Sequence, residues 1–96
     1  MLLNVTNANK DEIVPGGYSA PFTLNAETRA IAAWGTWNGA NAQLEYSFGG
    51  SKWFSISGHA AMTADDIDTV ALPRAKYRWH VTSIGASTDI NLSVSE

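Results

Sequence analysis

Asn41–Gly58, NAQLEYSFGGSKWFSISG, is the stretch whose reading decides the fold. Leu44 and Tyr46 alternate with Gln43, Glu45 and Ser47, and Phe54 and Ile56 alternate with Ser55 and Ser57. A glycine pair, Gly49-Gly50, separates the two runs. Side chains on a strand point to opposite faces in turn, so two alternating runs joined by glycines predict a β-hairpin. A two-residue Gly49-Gly50 loop would set Glu45 opposite Phe54. A three-residue loop, Gly49-Gly50-Ser51, instead pairs Tyr46 with Phe54 and Leu44 with Ile56, keeping like with like on each face. This register carries a bulge at the loop and sends Trp53 to the polar side, with Glu45, Ser47 and Ser55.

Outward from the hairpin, the same period recurs. Residues 74–83, RAKYRWHVTS, place Tyr77, Trp79 and Val81 on one face and Arg74, Lys76, Arg78, His80 and Thr82 on the other. Residues 88–95 answer with Ile90, Leu92 and Val94. A type II′ loop at Gly85-Ala86 would pair Val81 with Ile90, Trp79 with Leu92 and Tyr77 with Val94 as a second hairpin. Residues 67–72, IDTVAL, form a strand ended by Pro73, and residues 59–66 a connection with room for one helical turn. Residues 28–37, TRAIAAWGTW, are apolar on both alternate sets. Alanine favours a helix there, but the short length, Gly35 and the tryptophans favour a strand. Asn38-Gly39 is a type I′ dipeptide leading into the central hairpin. Residues 2–7 and 22–24 supply two more short strands, and Val14-Pro15-Gly16-Gly17 is a turn. The expected architecture is all-β: a single domain over residues 1–96, a small β-sandwich or jelly roll of seven to eight antiparallel strands. The polar segment 7–21 reads as extended or ordered by a partner.

Composition narrows the function. With 96 residues there is material for one core. Charged residues are only 16% of the chain, against about 25% in an average domain, and a surface poor in charge suits an assembly. The net charge of −3 argues against non-specific binding to nucleic acid or an anionic membrane. No apolar run approaches the roughly 20 residues of a membrane span, and MLLNVTNANKDE does not read as a signal peptide. There is no cysteine, which excludes disulfides and thiol-based zinc sites. No cofactor or metal is expected. Asp65, Asp66 and Asp68 lack the glycine and terminal glutamate of an EF-hand loop. A nucleophile–base–acid set could be drawn from His80, Asp89 and a serine, but no Gly-x-Ser-x-Gly elbow accompanies it, and the chain is not expected to be an enzyme.

The residues that remain are candidates for contact with a partner. Arg74, Lys76, Arg78 and His80 form a basic stripe, suited to an acidic neighbour and equally to a solvated face paired with Asp89 and Glu45. A nucleic-acid platform would need aromatics on that same face, whereas Tyr77 and Trp79 lie on the other. Of the four tryptophans, Trp79 is assigned to the core, and Trp37 and Trp53 to exposure at a carbohydrate platform or a protein interface. Asn9, Lys10 and Tyr18 belong to the 7–21 segment and are placed at a contact with it.

Trp37-Asn38-Gly39, Leu44-Glu45-Tyr46-Ser47, Gly50-Ser51-Lys52-Trp53-Phe54-Ser55-Ile56 and the later Leu72-Pro73 and Tyr77-Arg78-Trp79-His80-Val81 together resemble small β-sandwich virion proteins of tailed bacteriophages, of the type that decorates or cements capsids. Gly49-Gly50 stands where that pattern commonly has Asp-Gly. The resemblance covers about half the chain and implies a non-enzymatic structural protein located in the virion. Its partner would be the major capsid protein or another virion protein, it would form a homo-oligomer, with a trimer favoured, and many weak contacts would sum through avidity. The alternative is a carbohydrate- or receptor-binding module of a tail fibre or an enzyme.

Overall fold

The computed structural model describes residues 1–56 and 61–95. Eight strands form: β1 (Leu2–Thr6), β2 (Phe22–Leu24), β3 (Glu27–Thr36), β4 (Asn41–Ser47), β5 (Phe54–Ser55), β6 (Asp66–Leu72), β7 (Ala75–Thr82) and β8 (Asp89–Val94). They build two antiparallel four-stranded sheets. Sheet I has the order β1-β8-β3-β6 and sheet II the order β2-β7-β4-β5. Between β1 and β2 lie a helical turn, α1 (Lys10–Ile13), and a 3₁₀ turn at Pro15–Gly17, where Gly16 takes φ 70°.

The pairing is nested. β4 pairs with β5, β3 with β6, β2 with β7 and β1 with β8, as in one long hairpin rolled into two layers. This is the jelly-roll order, and Asn41–Gly58 contains its innermost pair. Tyr46 stands opposite Phe54 and Glu45 opposite Ser55, the register of the three-residue loop. The ladder is shorter than that register allows: Ile56 is buried near Leu44 but lies beyond the end of β5. Ser47 Oγ accepts from Gly50 N–H at 2.8 Å, closing the turn with a side chain.

β4–β5 is the one connection between consecutive strands that stays within a sheet. The expected β7–β8 hairpin does not form. β7 sits between β2 and β4 in sheet II, and β8 between β1 and β3 in sheet I. Tyr77, Trp79 and Val81 still lie in the core with Ile90, Leu92 and Val94, as inner faces of opposite layers rather than ladder partners. An apolar face can be buried beside its neighbour or against it, and alternation is the same in both cases. Asn38 (φ 47°) and Gly39 (φ 87°) adopt the expected I′ signs, but their turn carries the chain from sheet I to sheet II. No helix is found in 61–65, and residues 57–60, which include His59, lie outside the described residues.

Trp79, Tyr77, Ile90, Leu92, Val5, Val81 and Val94 fill the space between the sheets. At one end a transverse row of aromatics crosses sheet II, Phe22–Tyr77–Tyr46–Phe54, each opposite the next in register. Ring centroids are 6.2, 6.2 and 5.9 Å apart, within the range of favourable aromatic pairs. Burial, above all, pushes the Tyr77 phenol upward; its hydroxyl donates to Pro73 C=O. Arg29, on the inward side of β3, is buried and bonds Ser95 C=O (2.8 Å) and Asn25 C=O (3.1 Å), with Glu27 at 3.3 Å.

The 7–21 segment, expected to be extended or ordered by a partner, is docked on its own chain. Ser19 N–H donates to Trp79 C=O (2.9 Å), Trp79 N–H donates to Ser19 Oγ (2.8 Å), and Val14 is buried. A hydroxyl and a backbone pair continue the sheet past Tyr18, which bridges to His80.

Candidate functional site

The outer face of sheet II carries the densest cluster of polar and aromatic side chains. β7 turns Lys76, Arg78 and His80 outward, opposite Ser47, Glu45 and Gln43 of β4. Arg78 Nε donates to Glu45 Oε1 at 2.8 Å, and His80 Nδ1 lies 3.7 Å from Glu45 Oε2. Two rings then lie against the cation. The Arg78 guanidinium carbon is 4.0 Å from the Tyr18 ring centroid and 4.2 Å from that of Trp53. Tyr18 also stacks on His80, with centroids 4.4 Å apart and planes 13° from parallel. Local sequence explains each position. Gly16 and Gly17, both at positive φ, let the chain double back so that Tyr18 meets His80 across a bridge. The register of the β4–β5 turn puts Trp53 on the side of Glu45. Gln43 Nε2 donates to Ser55 Oγ along the same face. The Arg78 and Glu45 side chains are 21% and 14% exposed, so the pair is partly shielded and stronger than an open surface pair.

Of the residues expected at a partner contact, Tyr18, Trp53, Arg78 and Lys76 therefore come together on one face. Arg74 precedes β7 and is exposed. The other three lie elsewhere. Trp37 is half-buried, and its indole N–H donates to Asp65 Oδ1 at 2.9 Å. The same oxygen accepts from Gly35 N–H, and these two bonds hold the Asp65 carboxyl below its ordinary range. Lys10 sits on α1, which packs against β1. Asn9 is occupied within the chain: its Oδ1 accepts from Thr6 N–H (2.7 Å) and its Nδ2 donates to Asn4 C=O (3.1 Å). Asp89, expected opposite the basic stripe, belongs to sheet I and accepts from Asn4 Nδ2, so it does not meet His80.

Asn9 closes an edge. Met1 and Val94 exchange backbone bonds, so Leu3 and Val5 face β8, and Asn4 and Thr6 turn their backbone groups away from the sheet. The Asn9 carboxamide satisfies one donor and one acceptor there, as the next strand would. The opposite edge, β6, is closed similarly. Ala30 exchanges bonds with Ser95, so Arg29, Ile31 and Ala33 face β6, and Ile67 and Thr69 point their N–H groups outward. Asp66 Oδ1 accepts from Ile67 N–H and Asp68 Oδ1 from Thr69 N–H, each at 2.8 Å. In sheet II the edge strands have only three and two residues. Short, carboxylate-guarded and side-chain-capped edges discourage strand addition, which leaves contacts to the two faces.

The outer face of sheet I differs from that of sheet II. Its rows run Leu2–Ser93–Ala32–Ile67 and Asn4–Asn91–Trp34, with Ala30, Thr69, Thr28 and Ala71 beyond. Leu2 (65%), Trp34 (42%) and Ile67 (68%) are exposed around small central residues. Among the described residues of this face the charges lie at its margin: Asp89 at one end, and Asp65 just before β6, whose carboxylate accepts from Gly35 N–H. Sequence reading places Ala30, Ala32 and Trp34 on one side of their strand. That this side faces solvent depends on the partner strands. A scan against protein-family models, a search of curated proteins and a search of solved structures each return no match.

Proposed function

We propose that this chain is a non-catalytic assembly protein of a phage virion, binding the capsid surface as a decoration or cement protein through the outer face of sheet I. The observation that carries the reading is that face: charged only at its margin, with exposed Leu2, Trp34 and Ile67, in a sheet whose two edges are capped by side chains. Exposed apolar side chains on an otherwise polar surface mark contact sites. The size of the face fits repetition. Four strands about 4.8 Å apart and about six residues long cover roughly 400 Å² in projection, about half of what each partner contributes to a stable pairwise interface. A face of that size holds by many copies acting on one lattice. The jelly roll also builds viral capsid and lectin domains, an analogy of fold that is compatible with the reading and does not fix it.

The test mixes the purified chain with capsids of the phage that encodes it and follows co-sedimentation and capsid melting. Saturable binding and a higher capsid disruption temperature are expected, with binding lost in Ile67→Lys. Capsids that leave the chain in the supernatant, or that bind Ile67→Lys as well as wild type, overturn the proposal.

A further inference from the structure

The geometry of the sheet II face points to a binding site for the carboxylate of a sugar acid, with Arg78 as the anion-binding fork; this does not depend on the role proposed for sheet I. Arginine offers five N–H donors in one plane. In Arg78 one of them, on Nε, is taken by Glu45. The rings of Tyr18 and Trp53 lie against the guanidinium. No hydrogen bond to Nη1 or Nη2 comes from the described residues. The guanidinium is thus held by a carboxylate and two rings, with its Nη edge directed to neither Glu45 oxygen as a hydrogen-bond donor. A fork fixed in advance loses little entropy when a planar two-oxygen anion binds.

Charge selects the kind of anion. Arg78 and Glu45 cancel, and Lys76, on the same face of β7, leaves one positive charge beside the fork. That balance suits a monoanionic carboxylate better than a phosphate carrying up to two charges. The rings select what carries the carboxylate. Tyr18, with His80 and Arg78 against its ring, is still 36% exposed and Trp53 is half-buried, so both keep apolar area that the C–H groups of a pyranose would cover. Gln43, Ser55 and Lys76 stand within the same outer face as donors and acceptors for hydroxyl groups. An acidic pyranose, uronic or sialic, presents the carboxylate, the C–H face and the hydroxyls together.

The test is titration of the purified chain with sialyllactose and with trigalacturonate, followed by the indole resonance of Trp53 and by calorimetry. Lactose, inorganic phosphate and a glutamate-rich peptide serve as comparators. Saturable shifts with either acidic sugar, and none with lactose, are expected; the stronger of the two identifies the sugar acid. Arg78→Lys keeps the charge and removes the fork, and it should weaken binding roughly tenfold to a hundredfold. If that variant melts too low to titrate, Lys76→Ala, on an exposed side chain, should still weaken binding by a few-fold. Equal binding of lactose, binding of phosphate or peptide but no sugar, no binding at all, or undiminished binding in a folded Arg78→Lys or Lys76→Ala variant each overturns the assignment.

Discussion

Sheet I turns Ala30, Ala32, Asn91 and Ser93 to solvent along its central strands, while sheet II turns out Gln43, Glu45, Lys76, Arg78 and His80. Both sheets are four strands wide and share one core, so the difference does not come from folding requirements. On sheet I the outer side chains make few bonds to one another beyond the Asn4–Asp89–Asn91 cluster, and three large apolar groups stand free of cover. On sheet II they are tied together by a charge pair, two cation–ring contacts and a ring stack. A face whose side chains hold each other is rigid and specific in what it accepts. A face of small residues with isolated apolar projections is nearly silent in the free protein and gains energy only when covered. Substitutions should therefore separate the two: changes on sheet II cost stability, and changes on the open part of sheet I do not.

The largest effect is expected where sheet I departs from small and silent. Gly35 sits at φ 137°, and a Cβ there would lie 2.2 Å from the Asp89 carbonyl oxygen. The obstacle is backbone of β8, which has no rotamer to yield. Gly35→Ala should cost about 3 kcal/mol, lowering the melting temperature by roughly 12–24 °C, from strain at φ and displacement of the β3–β8 ladder. A loss under 1 kcal/mol in denaturant titration would show that the ladder gives way there.

Arg78→Met comes next and tests sheet II directly. It leaves the Glu45 carboxylate, 14% exposed, without its partner and takes the cation from two rings. Breaking a fully buried pair costs 3–5 kcal/mol; with solvent reaching this one, about 1–3 kcal/mol is expected. The double variant Arg78→Met with Glu45→Gln should recover part of the loss. If the single variant is as stable as wild type, the cluster is a surface decoration of the sheet and the contrast between faces fails.

The contrast also marks what the sequence could and could not reveal. β4 and β7 and their expected partners, β5 and β8, were visible as alternation, because each has one buried side and the period of two is imposed by the backbone itself, whereas β3 was legible only from its length, Gly35 and its tryptophans, and β6 from its end at Pro73. The β4–β5 register was visible too, since only one loop length keeps Tyr46 with Phe54, and from it followed the outward direction of Trp53. The nesting was not. Tyr77, Trp79 and Val81 match Ile90, Leu92 and Val94 equally well as ladder partners and as facing layers, and nothing in Gly85-Ala86 chooses between them. The candidate site was legible in half. Local rules turned Arg78 and Trp53 each to the polar side of its own strand, but the pairing of β7 with β4 that brings them together was not legible. Tyr18 arrives from 60 residues away through a single bridge to His80 and two bonds of Ser19. The cap made by Asn9 was hidden for the same reason: a polar residue in a polar segment carries no mark that its carboxamide will bond the edge of β1.

That cap makes the third prediction. Asn9→Ala removes the bonds to Thr6 N–H and Asn4 C=O, worth about 1 kcal/mol together. Amide exchange at Thr6 should quicken, and the bared edge should raise the tendency to associate at high concentration. A variant with unchanged exchange and scattering would mean that the edge is protected by other means. A smaller effect follows from Asp65. Its carboxyl is held below the ordinary 3.8 by the Trp37 indole and the Gly35 amide. The contribution of those bonds is present above that ordinary value and is lost as pH falls through the lower folded value. The Trp37 indole proton should report a midpoint below 3.8, absent in Asp65→Asn; a midpoint at or above it would contradict the assignment.

The smallest expected change in stability is the most informative about sheet I. Ile67 is 68% exposed, and Lys in its place removes no core contact. Its alternation neighbours on the same side of β6, Thr69 and Ala71, are also exposed, so the new charge meets no buried group. Free-protein stability should stay within about 0.5 kcal/mol of wild type. Any process that covers this face must bury the ammonium or exclude the residue, and a single buried charge is enough to abolish a contact built from many weak ones. Trp34→Ser should act in the same direction and more gently, since it removes apolar area without adding charge. A pair of variants that fold like wild type, yet differ from it and from each other in capsid binding, separates a covered face from a merely exposed one. Should Ile67→Lys instead destabilise the isolated chain by 2 kcal/mol or so, sheet I would already be covered by a second copy in solution, and the silent face would be an interface of the protein with itself.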